Sequence, residues 1–250
     1  MAMATAEHRE ALEAASGGDA KRAYVRRIFS EIAPSYDLLN HLLSANLDRG
    51  WRRAAIDALQ VARDPEGTYL DLCAGTMDVG AELGGRAGFR GNVVCADFAE
   101  PMLRRGLDKT VGLPVRPVVA DALRLPLADG AGAGALVAFG VRNFADIDAG
   151  LRELARVLAR GGRIVILECS EPPNAVVRML YHLYFRRILP VVGRLVSGHR
   201  TAYQYLPASV AAFPRADDLA ARMRAAGLVN VGYRHLALGT AALHWGERAK

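Results

Sequence analysis

Five short apolar runs alternate with helical segments between residues 64 and 169, and this alternation limits the fold more than any other feature of the chain. Continuous apolar runs separated by helices predict an α/β fold with a parallel sheet covered on both faces. In such a sheet, ligands bind beyond the carboxyl ends of the strands. The pattern predicts strands near 69–73, 93–97, 115–120, 135–139 and 163–169, and helices near 79–86, 101–110 and 147–159, with Arg160, Gly161 and Gly162 closing the last helix.

Carboxylates lie at or near the ends of the first three predicted strands. Asp71 lies in the first apolar run, Asp97 ends the second and Asp121 follows the third. After Asp71 the chain turns through Gly75 and Thr76 into a helix. A carboxylate at the end of the second strand stands where a nucleoside would present its two ribose hydroxyls. The pattern therefore predicts a nucleoside-binding corner.

Two phosphate-binding templates fail at this turn. Gly75 and Gly80 have the spacing of a P-loop, but Ala81 and Glu82 follow where that loop needs lysine and serine or threonine. Met77 stands where the dinucleotide fingerprint needs its second glycine. Nucleotide-phosphate, nicotinamide and flavin chemistry are therefore disfavoured.

A third template fits the turn. Residues 70–78 resemble the first motif of class I S-adenosylmethionine-dependent methyltransferases, with Asp97 in the acidic position of the second strand. The segments VRRIFSEIAPSYDLLN (25–40) and AFGVRN (138–143) resemble signatures of the ubiquinone/menaquinone biosynthesis C-methyltransferases. Further similar segments are 48–52, 120–126, 156–163 and 203–206, so the resemblance covers about residues 22–246.

This resemblance implies a fold, a cofactor and an acceptor. The expected fold is a Rossmann-like sheet, mostly parallel with an antiparallel C-terminal strand, plus an N-terminal helical cap and a helical insertion before the last strands. The expected reaction is methylation of a ring carbon of a demethylated, polyprenylated quinol by S-adenosyl-L-methionine. The residues expected to bind this cofactor are Asp71, Gly75, Thr76, Asp97, Phe98, Asp121, Ala122 and Ala138.

Two of these carboxylates have different expected roles. Asp97 would accept hydrogen bonds from both ribose hydroxyls, since a carboxylate has two oxygens. Asp71 either binds the cofactor directly, or only fixes the turn, or meets the cofactor's ammonium through water.

Methylation of a ring carbon needs an electron-rich ring, so a quinol hydroxyl must lose its proton before or during attack. Arg142 is expected to stabilise the oxyanion or orient a water, and Asn143 to position it. Alternatively, these two residues only cap the loop after the fourth strand. Tyr36 and Asp37 are expected to close over the substrate, or to form a joint in which Asp37 caps a helix.

Met77 is the main departure from the family pattern, which normally has glycine there. Its side chain must either turn away or crowd the methionine tail of the cofactor. Two rivals to a quinol methyltransferase stay open: a methyltransferase for another small molecule, and a cofactor-binding or scaffold protein that has lost turnover because Met77 blocks the site.

The predicted organisation is one domain after a tail. Residues 1–21 are expected to form a flexible tail, followed by a helical cap (22–60), a cofactor-binding core (64–170), a substrate-lid insertion of two short helices (174–206) and a C-terminal part (207–250). Pro34 predicts a non-helical joint in the cap. The C-terminal part is expected to contain a helix at 217–227 and strands at 228–236 and 240–245.

Charge and cysteine usage limit the partners and the compartment. The net charge of +6 is spread as arginine pairs without a longer block, which disfavours nucleic-acid binding. Three cysteines lie in apolar runs without Cys-x-x-Cys spacing, so no metal site is expected. An acidic N-terminus without an apolar segment favours the cytoplasm. Peripheral contact with the inner face of the membrane, through the arginine-bearing insertion, and a homodimer remain open.

Overall fold

A computed structural model describes residues 17–44, 46–184, 187 and 200–250. Seven strands form one sheet in the order β3-β2-β1-β4-β5-β7-β6. The neighbouring strands from β3 to β5 are parallel, and β7 runs antiparallel to β5 and β6. This confirms the predicted, mostly parallel α/β sheet with an antiparallel C-terminal strand. The strands are β1 Thr68–Leu72, β2 Asn92–Asp97, β3 Val115–Val119, β4 Gly132–Ala138, β5 Leu158–Cys169, β6 Leu228–Leu236 and β7 Ala241–Arg248.

Helices precede, connect and follow these strands. The α-helices are α1 Gly18–Ile32, α2 Tyr36–Leu43, α3 Leu47–Ala58, α4 Asp78–Gly84, α5 Glu100–Gly106, α6 Ile147–Val157, α7 Ala175–Leu183, α8 Arg200–Ala211 and α9 Ala216–Ala225. Short 3₁₀ turns lie at Ala33–Ser35, Val61–Arg63, Leu107–Thr110, Val141–Asn143 and Ala237–Gly239.

Alternate residues of the strands pack on opposite faces of the sheet. On one face, Leu70 and Leu72 of β1 pack in a buried cluster with residues of α6 and α9. On the other face, Tyr69 packs in a cluster with Ile56 of α3 and Leu83 of α4. Because side chains of a strand alternate between faces, the continuous apolar runs cover both sides of the sheet.

The side of the sheet to which successive strands are added changes at β1. From β1 the chain adds β2 and β3 on one side, and then crosses back to place β4 next to β1. In sheets of this kind the crevice beyond the carboxyl ends of the strands at that switch point binds ligands.

The prediction that Arg160, Gly161 and Gly162 close a helix is wrong. α6 already ends at Val157, and β5 begins at Leu158, which pairs with Gly132. Leu158 is fully buried, so the chain leaves the helix to place this side chain in the core. Gly161 has the left-handed φ of 76°, but it lies where the pairing register between β4 and β5 shifts and not at a helix end.

The N-terminal part differs in two details from the prediction. Helix α1 begins at Gly18, whose backbone N–H donates to the Ala145 carbonyl oxygen at 3.0 Å, so residues 18–21 are docked on the domain. Pro34 does interrupt the α-helix, but the joint is a 3₁₀ turn because proline fits the first turn of such a helix. Residues 1–16 of the expected tail lie outside the described residues.

In the described part of the insertion lie α7 and the beginning of α8, and α8 continues past the expected end of the insertion to Ala211. The expected breaks at Pro190 and Gly193 lie outside the described residues. The C-terminal helix and strands lie close to their expected positions, although the last strand runs on to Arg248.

Candidate functional site

A cavity of about 460 Å³ opens at the carboxyl ends of the strands around the switch point. This volume includes space that is open to solvent. Of the residues expected to bind the cofactor, four line the cavity: Asp97, Phe98, Asp121 and Ala122. Apolar side chains, Leu72, Leu123, Leu125 and Phe144 among them, make up much of the remaining wall, together with Asn143.

Asp97 is fixed in the wall of this cavity by the backbone. One carboxylate oxygen accepts the N–H of Gly75 at 2.9 Å, and the other accepts the N–H of Ala99 at 2.8 Å. Burial raises the pKa of Asp97, although these backbone hydrogen bonds oppose the shift. Each oxygen keeps acceptor capacity, so the carboxylate can accept two further hydrogen bonds from a ligand.

Asp121 faces the same cavity and is bridged to the N-terminal helix. Its Oδ2 lies 2.7 Å from Nε of Arg22, and both residues line the cavity. Its Oδ1 accepts the N–H of Leu123 at 2.9 Å. Helix α1 therefore closes over this end of the cavity through an ion pair that is partly exposed to solvent.

The first turn holds its residues in unusual backbone conformations. Cys73, Gly75 and Met77 have φ values of 55°, 53° and 60°, in the left-handed region. Met77 is fully buried and packs with the cluster that contains Leu83 and Leu103. Its side chain is not part of the cavity wall, so it turns away from the expected cofactor site rather than crowding it.

Asp71 lies below the turn and is not part of the cavity wall. Its Oδ2 accepts the N–H of Gly80, in the first turn of α4, at 2.9 Å, and lies 3.7 Å from Sγ of Cys95. Burial raises the pKa of Asp71 from 3.8 to about 7. These contacts favour the alternative in which Asp71 fixes the turn.

Thr76 and Asp37 hold the cap on the turn. The Thr76 hydroxyl donates to Oδ1 of Asp37 at 2.6 Å, and Lys109 donates to Oδ2 of Asp37, also at 2.6 Å. Burial acts to raise the pKa of Asp37, but the hydrogen bonds from Lys109 and Thr76 hold it below its ordinary value. Lys109 also pairs with Asp78 at 2.6 Å. Asp37 therefore belongs to an ion cluster that joins α2 to the turn.

Arg142 forms a buried ion pair that the sequence patterns did not indicate. Its Nη1 donates to Oε2 of Glu168 at 2.9 Å and to the Phe139 carbonyl oxygen at 2.6 Å, and its backbone N–H donates to Oε1 of Glu168 at 3.1 Å. Glu168, in β5, is completely buried. Burial alone would lower the pKa of Arg142, but Glu168 more than offsets this and raises it, so the guanidinium stays charged. Its Nε is buried without a hydrogen-bond partner among the described residues.

Asn143 connects the cavity wall to the insertion. Its Oδ1 accepts from the Tyr205 hydroxyl at 3.2 Å, and Tyr205 is buried on α8. The Tyr205 ring lies 5.5 Å from that of Tyr24 on α1. The insertion, which is expected from the sequence to form a substrate lid, therefore reaches the site through Tyr205.

Neither Tyr36 nor Ala138 lines the cavity. Tyr36 Cε1 lies 3.7 Å from where a Cβ on Gly75 would be, and its ring centroid is 5.9 Å from that of Phe29. Burial raises the pKa of the Tyr36 hydroxyl, so it stays protonated. Ala138, at the end of β4, packs against the cluster on the opposite face and is not part of the cavity wall.

The ubiE/COQ5 methyltransferase family model matches residues 18–248. The chain belongs to this family. A demethylmenaquinone methyltransferase of Thermus thermophilus is 50% identical over 223 residues, which are 88% of this chain and 100% of that protein. A ubiquinone/menaquinone biosynthesis C-methyltransferase of Geotalea daltonii is 39% identical over 90% of this chain and 96% of its own length.

A solved structure with the same fold is a S-adenosylmethionine-dependent methyltransferase of Thermotoga maritima, described as a possible histamine N-methyltransferase. It has a TM-score of 0.63 and 16% identity, and the match covers 89% of this chain and 98% of that one. At this identity the likeness shows the fold alone.

Proposed function

We propose that this ubiE/COQ5-family methyltransferase transfers the methyl group of S-adenosyl-L-methionine to a ring carbon of a demethylated quinol in menaquinone or ubiquinone biosynthesis. The main support in the structure is one cavity with Asp97 and Asn143 in its wall, Asn143 standing next to the buried Arg142–Glu168 pair. The relatives named for this reaction match most of the chain.

The residues of the cavity fit the cofactor. Asp97 has free acceptor capacity for two ribose hydroxyls, and Phe98, Leu123 and Phe144 offer apolar surface for an adenine ring. Asp121 would accept a hydrogen bond from the exocyclic amine once Arg22 moves aside. S-adenosyl-L-methionine supplies a methyl group that its sulfonium already activates. Because Met77 points into the core, the argument for impaired turnover loses its structural basis.

The chain's own residues then act on the acceptor. Arg142 stays charged and stabilises negative charge on a quinol oxygen, and Asn143 positions that oxygen. Tyr36, partly buried beside the turn, helps to exclude water from the reacting groups. The methyl–sulfur bond breaks as the new bond joins the methyl group to the ring carbon, and S-adenosylhomocysteine is the leaving group. The quinol loses one hydroxyl proton before or during attack, the methylated ring carbon later loses its proton, and the quinol oxygen then takes up a proton again. Arg142 cannot accept either proton, because Glu168 stabilises its charged form.

Growth rescue tests this function. The full chain is expressed in a bacterial strain that lacks quinone C-methylation, and quinones are extracted and identified by mass spectrometry. We expect methylated quinone with the natural chain and with the matched control Asp108→Ala, which alters an exposed carboxylate outside the cavity. Asp97→Ala should abolish it. Rescue by Asp97→Ala, or no methylated quinone from a folded natural chain that binds S-adenosylhomocysteine, contradicts the proposal and favours another small-molecule acceptor.

We further propose that α7 rests on an anionic membrane surface and delivers the prenyl tail. Among the described residues, no helix is long and apolar enough to cross a membrane. However, four apolar side chains spaced three and four residues apart on α7 are more than half exposed: Val176, Met179, Leu180 and Leu183. Such spacing places them on one face of the helix.

The charge around α7 favours anionic lipid. No acidic residue lies between Glu171 and Asp217, and the six arginines in this segment give it a formal charge of +6, the same as the whole chain. The rest of the chain is therefore neutral overall. These arginines are Arg178, Arg186, Arg187, Arg194, Arg200 and Arg215.

Vesicle co-sedimentation tests the membrane contact. We expect binding to phosphatidylcholine vesicles that contain phosphatidylglycerol, and loss of binding in the double variant Met179→Ser, Leu183→Ser. The matched control Leu107→Ser, Val111→Ser changes exposed apolar residues elsewhere and should bind normally. Equal binding to neutral vesicles, or by both variants, contradicts the role of α7. The homodimer stays a prediction, which light scattering of the purified chain tests.

A further inference from the structure

Tyr205 is a buried tyrosine whose hydroxyl bonds to a side chain in the cavity wall. It lies on α8 with only 3% of its surface exposed. Its hydroxyl donates to Oδ1 of Asn143 at 3.2 Å, and Asn143 lines the cavity. Tyr205 itself is not part of the cavity wall. It can therefore influence a bound acceptor only through a neighbour, and Asn143 is the neighbour that it contacts by a hydrogen bond.

The ring of Tyr205 is held in place by α1. Its centroid lies 5.5 Å from that of Tyr24, with 57° between the two planes. Aromatic rings at this separation attract each other. Both rings belong to a buried cluster with Val25, Ile28 and Ile32 of α1. Because side chains in such a packed cluster keep one rotamer, the Tyr205 hydroxyl has a fixed position.

This hydroxyl acts as a donor at neutral pH. Burial raises the pKa of Tyr205, although Arg142 acts to lower it. The hydroxyl therefore keeps its proton and donates it to Oδ1 of Asn143. Since the oxygen of a side-chain amide accepts and its nitrogen donates, this bond determines which end of the Asn143 amide faces α8.

The nitrogen end of the same amide meets the Phe139 carbonyl oxygen. Phe139 has φ of 60°, in the left-handed region, which a residue other than glycine adopts only at a cost. Its carbonyl oxygen accepts from Nη1 of Arg142 at 2.6 Å and from Nδ2 of Asn143 at 3.4 Å. Among the described residues, Nδ2 has no second acceptor. An amide nitrogen carries two N–H groups, so one of them is left to donate to a ligand.

We propose that Tyr205 is a positioning residue, which orients the Asn143 amide so that its nitrogen is offered to the negatively charged quinol oxygen. This inference rests on the proposed function and names a residue that acts on the same site through Asn143. With the Tyr205 hydroxyl as donor and the Phe139 carbonyl as acceptor, one orientation of the amide makes both hydrogen bonds. The reversed amide would put its oxygen where Nδ2 now stands. A fixed N–H donor stabilises an oxyanion, and an oxygen in its place would repel it.

Tyr205→Phe tests this assignment in the full chain, because it removes the hydroxyl and keeps the ring against Tyr24. We expect kcat with the demethylated quinol to fall about 10- to 100-fold, since complete loss of an oxyanion donor costs about 10²- to 10³-fold. The affinity for S-adenosylhomocysteine should stay within about threefold, which shows that the variant folds.

Tyr69→Phe is the matched control. Tyr69 is also buried, and its hydroxyl donates to the Asp64 carbonyl oxygen at 2.9 Å. It lies outside the cavity wall. This variant loses a hydrogen-bonded tyrosine hydroxyl as well, but it should keep the kcat of the natural chain within about threefold.

A double-mutant cycle with Asn143→Ala distinguishes positioning from packing. If Tyr205 acts through Asn143, Tyr205→Phe should change kcat by less than about twofold once residue 143 is alanine. A tyrosine that only packs α8 onto the domain would lower kcat equally with and without the Asn143 side chain.

A second readout does not depend on turnover. In the complex with S-adenosylhomocysteine, binding of 4-nitrophenolate, a phenolate analogue of the activated acceptor, is followed by its absorbance at a pH where it is ionised. Tyr205→Phe should weaken this binding about tenfold, the loss expected for one hydrogen bond to a charged group. Adding Tyr205→Phe to Asn143→Ala should weaken it by less than about twofold more.

The two readouts separate the two proposals. If the natural chain does not methylate the quinol but binds 4-nitrophenolate through Tyr205 and Asn143, the acceptor assignment fails and the positioning assignment stands. If Tyr205→Phe folds and keeps the kcat or the 4-nitrophenolate affinity of the natural chain, the positioning assignment is overturned. An equal effect with and without the Asn143 side chain, or no binding of 4-nitrophenolate by the natural chain, also overturns it.

Discussion

Replacing Met77 by glycine tests how the first turn supports the cofactor site. Met77 precedes α4 with φ of 60° and ψ of 27°, and its side chain is fully buried. Its Cε lies 3.1 Å from where a Cβ on Gly106 would be, so the side chain reaches the last residue of α5. The substitution removes this packing and also removes the strain of a left-handed residue.

Two opposing effects determine the expected stability. Truncating a buried methionine in a core costs about 2 to 5 kcal/mol. A non-glycine residue in the left-handed region costs about 1 to 2 kcal/mol, which glycine recovers. The net loss for Met77→Gly is therefore about 2 kcal/mol, or a fall of about 4 to 8 °C in Tm for a domain of this size.

Met77→Ala is the matched control. Alanine loses nearly the same packing but keeps a Cβ at positive φ, so we expect it to be about 1 kcal/mol less stable than Met77→Gly. Chemical denaturation measures both free energies of unfolding, and calorimetry measures the affinity for S-adenosylhomocysteine. Because Met77 is not in the cavity wall, the affinity of both variants should stay within about threefold of the natural chain's affinity. This is less than the tenfold change that corresponds to about 1.4 kcal/mol.

Two results refute this account of Met77. A glycine variant at least as stable as the natural chain means that the side chain is not packed as described. An affinity gain of more than tenfold means that Met77 crowds the cofactor and that the natural site is compromised.

The other predictions concern three carboxylates. Burial raises the pKa of Asp71 from its ordinary value of 3.8 to about 7 in the folded state. Between these two pH values the folded state therefore holds a proton that the unfolded state has lost. The free energy of unfolding should fall by up to about 4 kcal/mol as the pH rises from about 4 to 7. Asp71→Asn should largely remove this slope, which denaturation at several pH values measures; an unchanged slope contradicts a buried Asp71 with a raised pKa. Arg22→Ala frees Asp121 and should tighten S-adenosylhomocysteine binding up to about fivefold, since a partly exposed ion pair contributes at most about 1 kcal/mol; weaker binding would mean that Arg22 contacts the ligand. Glu168→Gln should lower kcat more than it raises KM, because Arg142 loses its anchor in the reacting geometry; equal kinetics to the natural chain would exclude that positioning role.

The sheet was predictable because its signal is local. Each apolar run is long enough to read as a strand, and the carboxylate Asp97 ends its run, so the place of the cavity followed from topology. The failed helix cap at Arg160, Gly161 and Gly162 shows the limit of local rules. A left-handed glycine fits a helix end and a strand irregularity equally well, and the buried Leu158 decided between them.

The polar interior of the site was much less predictable. Glu168 and Arg142 lie 26 residues apart, and nothing in the spacing indicates that they pair. The contact between Thr76 and Asp37 joins residues 39 positions apart, and nothing in the sequence pattern indicates that it links the turn to the cap.

The most direct measurement is the position of the transferred methyl group. The purified chain is incubated without oxygen with [methyl-¹³C]-S-adenosylmethionine and a short-tailed demethylmenaquinol, and the product is analysed by ¹³C NMR. We predict one labelled methyl group on the ring carbon per cofactor consumed, and none with Asp97→Ala. A label on oxygen, or no transfer by a chain that binds S-adenosylhomocysteine in this cavity, would contradict the assignment.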